Sequence, residues 1–350
     1  MVMQRVGLVG VTGYTGMELI RLLLGHPKLR LTQVTSRKES GRTLQQIYPF
    51  LQGTKLAELV IVVPDAASLA LDCDVVFLAV PHGTAMEIAA ELLAKGVRVI
   101  DLSADFRLHN QETYEAWYQV THSQPALLSQ AVYGLPELYA KEIASADLVA
   151  NPGCYPTSAI LALYPALHYG LVLADDLVID SKSGTTGAGR KASVGTLFCE
   201  VSDNFRAYNL GKHRHTPEIE QELSLSAGRD ITLSFSTHLL PMNRGILTTA
   251  YAKIAPGIDP LEIRAHYEAF YADKKWVRVL PEGILSETRW VRGTNFCDLG
   301  LVVDPRTNRL IVVSAIDNLC RGASGQAVAN ANLMLGMGEE TGLPFAALMP

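Results

Sequence analysis

The chain has 350 residues, of which 48% are hydrophobic, and carries a formal net charge of −5. Its length exceeds one ordinary core, so two domains are expected. The mild acidity argues against a nucleic-acid or anionic-membrane partner but allows a local basic pocket for a small phosphorylated ligand.

No run reaches the roughly 18 apolar residues of a bilayer span. The apolar N-terminal segment is broken by Gly7, Gly10 and Gly13 and reads as a first strand rather than a signal peptide. Five cysteines, at 73, 154, 199, 297 and 320, show no CxxC or zinc-like spacing, the pattern of a reduced, cytoplasmic chain.

From Val6 to Val149 short apolar runs alternate with helical patterns: Val6–Val9, Met17–Leu24, Leu31–Thr35, Val75–Val80, Ala85–Ala94 and Val97–Ile100. This βαβ order predicts a Rossmann-type, doubly wound parallel sheet over residues 1–150. The first loop, Gly10-Val11-Thr12-Gly13-Tyr14-Thr15-Gly16, is a G-x-x-G-x-x-G variant of the dinucleotide fingerprint, placed between strand and helix where glycine lets backbone wrap a pyrophosphate. About 20 residues on, where an NAD site offers a carboxylate, stand Ser36-Arg37-Lys38; a hydroxyl and two cations suit a 2′-phosphate, which predicts NADP. Pro81-His82-Gly83-Thr84 and Ser103-Ala104-Asp105-Phe106-Arg107 each follow a strand, at the carboxyl edge where open sheets bind ligands. Arg107 can grip a carboxylate or phosphate; a salt bridge to Asp105 fits the sequence equally well.

Asn151-Pro152-Gly153-Cys154-Tyr155-Pro156-Thr157 leaves a strand and opens a helix over Pro156–His168. A thiol there meets free N–H groups and the positive end of the helix dipole, which favour the nucleophilic thiolate. Pro165 predicts a kink or an early stop.

Strand-like segments then dominate, at Leu177–Ser181, Ile231–Ser236, Ile246–Lys253, Trp276–Leu280, Phe296–Val303 and Leu310–Ala315, with one helix over Pro260–Ala272 capped by Asp259. They predict an α+β domain with a mainly antiparallel sheet over 151–318. The helical 319–350 segment is expected to return to the first domain. Between the strands, Gly184-Thr185-Thr186-Gly187-Ala188-Gly189-Arg190 lacks the P-loop ending and suits backbone donors beside a nicotinamide or an anionic substrate. Lys212-His213-Arg214-His215-Thr216-Pro217-Glu218 is a poor metal site; one histidine reads better as the acid/base partner of the thiol, oriented by Glu218 a helical turn on.

These motifs together resemble the N-acetyl-γ-glutamyl-phosphate reductase family, from Val6 to about Leu335, with a semialdehyde dehydrogenase-like fold. The resemblance implies Cys154 as nucleophile, His215 as acid/base and Glu218 as its supporting carboxylate. It implies an NADP site at Gly10, Thr12, Gly13, Tyr14, Thr15, Gly16, Ser36, Arg37, Pro81, His82, Ser183, Gly184 and Asn318, although Asn318 also reads as a helix N-cap. Substrate contacts would come from Ser103, Arg107, Asn151, Gly187 and Arg190. The expected substrate is a small acyl phosphate and the expected assembly a homodimer or homotetramer.

Three rival readings are a carrier-protein-linked aminoadipyl-phosphate reductase, a non-redox cysteine acyltransferase or hydrolase, and a non-catalytic NADP sensor. A carrier calls for a basic docking face, which the sequence does not place. The cofactor loop argues against the second, and modification of Cys154 with loss of a measurable rate would dismiss the third.

Overall fold

The computed structural model describes residues 3–349, which divide into two compact units. The first runs through Pro152 and adds Ala323–Leu343; the second holds Gly153–Gly322 and the chain from Pro344 onward. The expected 319–350 segment is therefore split. Its helix, Gly325–Met334, joins the first unit, where Arg98 donates to the Met334 carbonyl and the His26 ring meets the Asn332 amide oxygen at 3.1 Å. The last residues stay with the second unit because Phe345 stacks on the buried Trp276, ring centroids 4.9 Å apart.

In the first unit, strands β1 (Gln4–Val9), β2 (Leu29–Thr35), β3 (Ile61–Val62), β4 (Val75–Leu78), β5 (Arg98–Asp101), β6 (Val132–Tyr133) and β7 (Leu148–Ala150) lie in the order β3-β2-β1-β4-β5-β7-β6. All pairings are parallel. The order reverses beside β1, which puts the switch point, and the ligand crevice such sheets form, at the carboxyl ends of β1 and β4. Helix Tyr14–Leu24 begins three residues earlier than its apolar spacing predicts, because Gly13 takes the extended N-cap conformation.

In the second unit, β8 (Val178–Gly184), β9 (Arg206–Tyr208), β10 (Ser234–Leu240), β11 (Ile246–Lys253), β12 (Val277–Val279), β13 (Cys297–Asp304) and β14 (Arg309–Ile316) form a mixed sheet ordered β12-β13-β14-β11-β8-β10-β9. Only β8/β10 and β12/β13 pair in parallel. Helix Cys154–His168 covers one face, packing on β11, β13 and β14. Residues alternate accordingly: Ile246, Thr248 and Ala250 of β11 are buried, while Leu247, Thr249 and Tyr251 face the other way and are half-buried.

Three sequence expectations change here. Pro165 does not stop the helix, which runs on to His168. Proline removes the N–H that would bond to the Leu161 carbonyl, and the Tyr271 hydroxyl takes that carbonyl at 2.7 Å. The strand expected at Ile231–Ser236 lies at Ser234–Leu240, in register with β8. The helix expected from Pro260 spans Ile263–Tyr271, since Asp259 accepts from the Leu261 N–H and caps a turn ahead of it.

Candidate active site

In the first unit the glycine loop has the form a dinucleotide needs. Gly10 sits at φ +92°, and a Cβ there would fall 2.2 Å from the Ala79 carbonyl oxygen; one at Gly16 would fall 2.6 Å from the Gly10 oxygen. Gly13 caps the helix with backbone alone, no side chain taking its first N–H groups, and a Cβ there would have only the Gly10 oxygen within 4.0 Å. Open space beside uncapped N–H groups is where a pyrophosphate fits. Thr12, Tyr14 and Thr15 line this turn, half-buried, and Ser324 holds it from the C-terminal segment by donating to the Thr15 carbonyl at 2.9 Å. Ser36 is buried at the end of β2 with its N–H on the Val62 carbonyl, while Arg37 and Lys38 are exposed.

The segment after β5 is held by internal hydrogen bonds. Ser103 is buried, its hydroxyl donating to Asp101 at 2.7 Å. Asp105 accepts from the N–H groups of Gly83 and Ala85 and from the Tyr114 hydroxyl, so it fixes the loop carrying Pro81 and His82. Burial, then the charge of Asp105, pushes the Asp101 carboxyl up. Arg107, also buried, donates to the carbonyls of Asn151 and Leu102 at 2.8 and 3.0 Å. Asn151 is only 1% exposed. Its amide donates to the Ala323 carbonyl and accepts from Asn330. Hidden and engaged on both sides, Asn151 braces the C-terminal helix.

In the second unit Cys154 is the first residue of its helix, half-buried, behind an extended Gly153 cap. Glu218, fully buried in the first turn of helix Thr216–Ala227, accepts the Gly153 N–H at 2.8 Å. Beyond any role toward His215, it therefore pins the backbone that presents the thiol. His215 is the cap residue of the same helix. One turn past the thiol, Ser158 lies 2.9 Å from the hydroxyls of both Thr248 and Ser314, and Thr248 lies 2.8 Å from that of Ser181. All four are fully buried.

Around the histidines is an aromatic cage. The Tyr155 ring lies 5.3 Å from His213 and 6.0 Å from His215, and the two imidazoles are 4.9 Å apart. The Tyr155 and Tyr208 hydroxyls meet at 2.8 Å. Burial pushes both phenols up, Tyr208 to about 12, so both stay protonated. Among the described residues no group of three or more His, Cys, Asp or Glu is arranged to hold a metal.

The helix-capping role open to Asn318 falls to Asp317, which accepts from Leu319 and Cys320 N–H groups at 2.9 Å each. Asp317 also accepts from the Gly293 N–H and pairs with Arg244 at 3.2 Å. Asn318 instead accepts from the Gly245 N–H and donates to the Thr186 hydroxyl, tying down the glycine-rich turn Thr185–Ala188. Ser183 is buried beneath that turn, its hydroxyl donating to the Gly184 carbonyl, while Gly187 and Arg190 lie exposed along it. The close approach of Gly322 to Cys154 was also missed: a Cβ at 322 would stand 2.7 Å from that of Cys154.

The model of the semialdehyde dehydrogenase NAD binding domain matches residues 5–146, and that of the semialdehyde dehydrogenase dimerisation domain matches 154–318. Fold and site thus define a semialdehyde dehydrogenase. The solved aspartate semialdehyde dehydrogenase II of Vibrio cholerae (15% identical, TM-score 0.71, 95% of this chain and 99% of that one) and the aspartate semialdehyde dehydrogenase of Candida albicans with NADP (16%, 0.71, 95% and 98%) share the fold. Within that class the chain is 52% identical to the N-acetyl-γ-glutamyl-phosphate reductase of Desulfotalea psychrophila and 51% identical to that of Desulforamulus reducens. Both alignments take in 99% of this chain and 100% of the relative. The chain belongs to the N-acetyl-γ-glutamyl-phosphate reductase family.

Proposed function

We propose that this enzyme reduces N-acetyl-γ-glutamyl phosphate to N-acetylglutamate 5-semialdehyde and phosphate, as a step of arginine biosynthesis, with Cys154 as nucleophile and His215 as acid/base. The observation that carries the reading is the thiol at a helix N-terminus, its cap fixed by the buried Glu218. The Cys154 thiolate attacks the acyl carbon, the C–O bond to phosphate breaks, and a thioester remains. NADPH, when bound, supplies a hydride to that carbon. His215 gives a proton to the oxygen as the tetrahedral thiohemiacetal forms and retrieves it as the C–S bond breaks, returning the thiolate and releasing the aldehyde. The helix N-terminus at Cys154 favours the developing oxyanion. The uncapped glycine loop and the exposed Arg37 beside the buried Ser36 are the groups that suit NADP, which Pro81, His82, Ser183, Gly184 and Asn318 would also help to hold. The exposed Arg190 and the loop at Gly187 suit the anionic substrate.

A homo-oligomer accords with the half-buried sheet face bearing Leu247, Tyr251, Ile311 and Val313. Cytoplasmic residence accords with the five cysteines, none of which is in a disulfide among the described residues. No helix among the described residues is long and apolar enough to cross a membrane.

The test is oxidation of N-acetylglutamate semialdehyde with inorganic phosphate, run with NADP and with NAD. Turnover requiring phosphate and preferring NADP is expected, with an acyl adduct on the Cys154 peptide. Cys154→Ser should lose many orders of magnitude and His215→Asn about 10²–10⁴-fold. Wild-type turnover by the serine variant overturns the assignment.

A further inference from the structure

The two histidines two residues apart are not equivalent. His213 is held on four sides: its ring lies 5.3 Å from Tyr155, 5.7 Å from Tyr208, 5.4 Å from Phe235 and 4.9 Å from His215. Its Nδ1 accepts the backbone N–H of His215 at 3.2 Å. A nitrogen that accepts carries no proton, so the ring proton stands on Nε2. Burial, then the neighbouring Arg214, pushes His213 down to about 4, and the phenols of Tyr155 and Tyr208 packed against it stay neutral. Among the described residues no side chain or carbonyl accepts from Nε2.

We propose that His213 is a neutral hydrogen-bond donor, locked in the Nε2–H form, that binds an oxygen of the acyl substrate, while His215 alone carries protons. This rests on the reading of Cys154 and His215 given above. A donor that does not titrate grips its ligand equally across the working pH range. The hydrogen bond from the His215 backbone N–H to the His213 ring also ties the donor to the backbone that carries His215.

The first test needs no activity. Nitrogen-15 spectra of the histidines in the intact enzyme should show His213 with its proton on Nε2 and no titration across roughly pH 5 to 8, where an unperturbed imidazole changes charge. A His213 proton on Nδ1, or titration in that range, overturns the proposal even if Cys154 proves to be the nucleophile. Kinetics supply the second test. His213→Phe keeps the ring but deletes the donor, and should raise KM for the semialdehyde about 10–100-fold, the worth of one bond to a charged or strongly polarised acceptor, with the larger effect on KM than on kcat. His213→Gln, whose amide N–H stands in for Nε2–H, should recover part of that loss. An unchanged KM in His213→Phe refutes the donor role. Should the phenylalanine variant fail to fold, the spectra of the wild-type protein still decide.

Discussion

Gly322→Ala adds a single methyl group against the nucleophile. Its Cβ would stand 2.7 Å from the Cys154 Cβ, 3.1 Å from its Cα and 3.4 Å from a methyl of Ile316. Carbon atoms rest about 3.5–4.0 Å apart, so something must yield by about 1 Å. Neither side retreats freely. The Gly322 N–H is bonded to the Asp317 carbonyl at 2.9 Å, and the Asp317 side chain anchors Leu319, Cys320, Gly293 and Arg244. The Cys154 helix is held by Gly153 on Glu218 and by Ser158 on the buried hydroxyls. Overpacking of this kind costs about 1–3 kcal/mol, and a ~1 Å error in a reacting group costs about 10²-fold in rate. Steady-state turnover, the pH profile of Cys154 alkylation and thermal unfolding read the three consequences. We expect kcat down by about 10²-fold, a shifted alkylation profile and a lowered midpoint. Wild-type kcat with an unaltered alkylation profile would show that the thiol does not depend on this contact.

Three further outcomes follow from the same geometry. Glu218→Ala strands the buried Gly153 N–H and should cost about 1–3 kcal/mol in calorimetry, whereas Glu218→Gln, which retains an acceptor oxygen, should cost less; equal losses would mean that the bond to Gly153 is not what the carboxylate contributes. His213 ordinarily titrates at 6.5 but at about 4 in the fold, so between these values the unfolded chain binds a proton that the folded one does not. Its contribution is complete above pH 6.5 and is lost as pH falls toward 4, on the order of 3 kcal/mol. Urea unfolding of wild type and His213→Phe over that window should show the steeper decline in the wild type, and parallel curves would contradict the burial argument. Arg37→Glu should raise KM for NADP about 10–100-fold and leave NAD little affected; parallel changes for both cofactors would remove Arg37 from the 2′-phosphate.

The parallel and mainly antiparallel sheets, the glycine loop and the thiol at a helix start were all legible in the sequence, because each depends on local rules: the period of apolar residues, the backbone freedom of glycine, the chemistry of a helix end. Pro165 shows where such rules stop. Its effect depends on whether the orphaned Leu161 carbonyl finds a donor, and Tyr271, 110 residues away, is that donor.

The same division runs through the site. The sequence by itself marked the residues proposed to carry the chemistry, since a Cys behind Gly153 at a helix start and a pair of histidines a helical turn from a carboxylate are local patterns. Only tertiary structure decided what holds them. Thr248 is opposite Ser181 on one neighbouring strand and Ser314 on the other, which sets a row of hydroxyls under Ser158; nothing in three separate strands marks small polar residues as partners. Asp317 rather than Asn318 caps the final turn, Glu218 reaches Gly153 across 65 residues, and Gly322 is glycine because another part of the backbone passes within contact of it. Such contacts join residues far apart in the chain, and their identity is fixed only when packing brings the elements together.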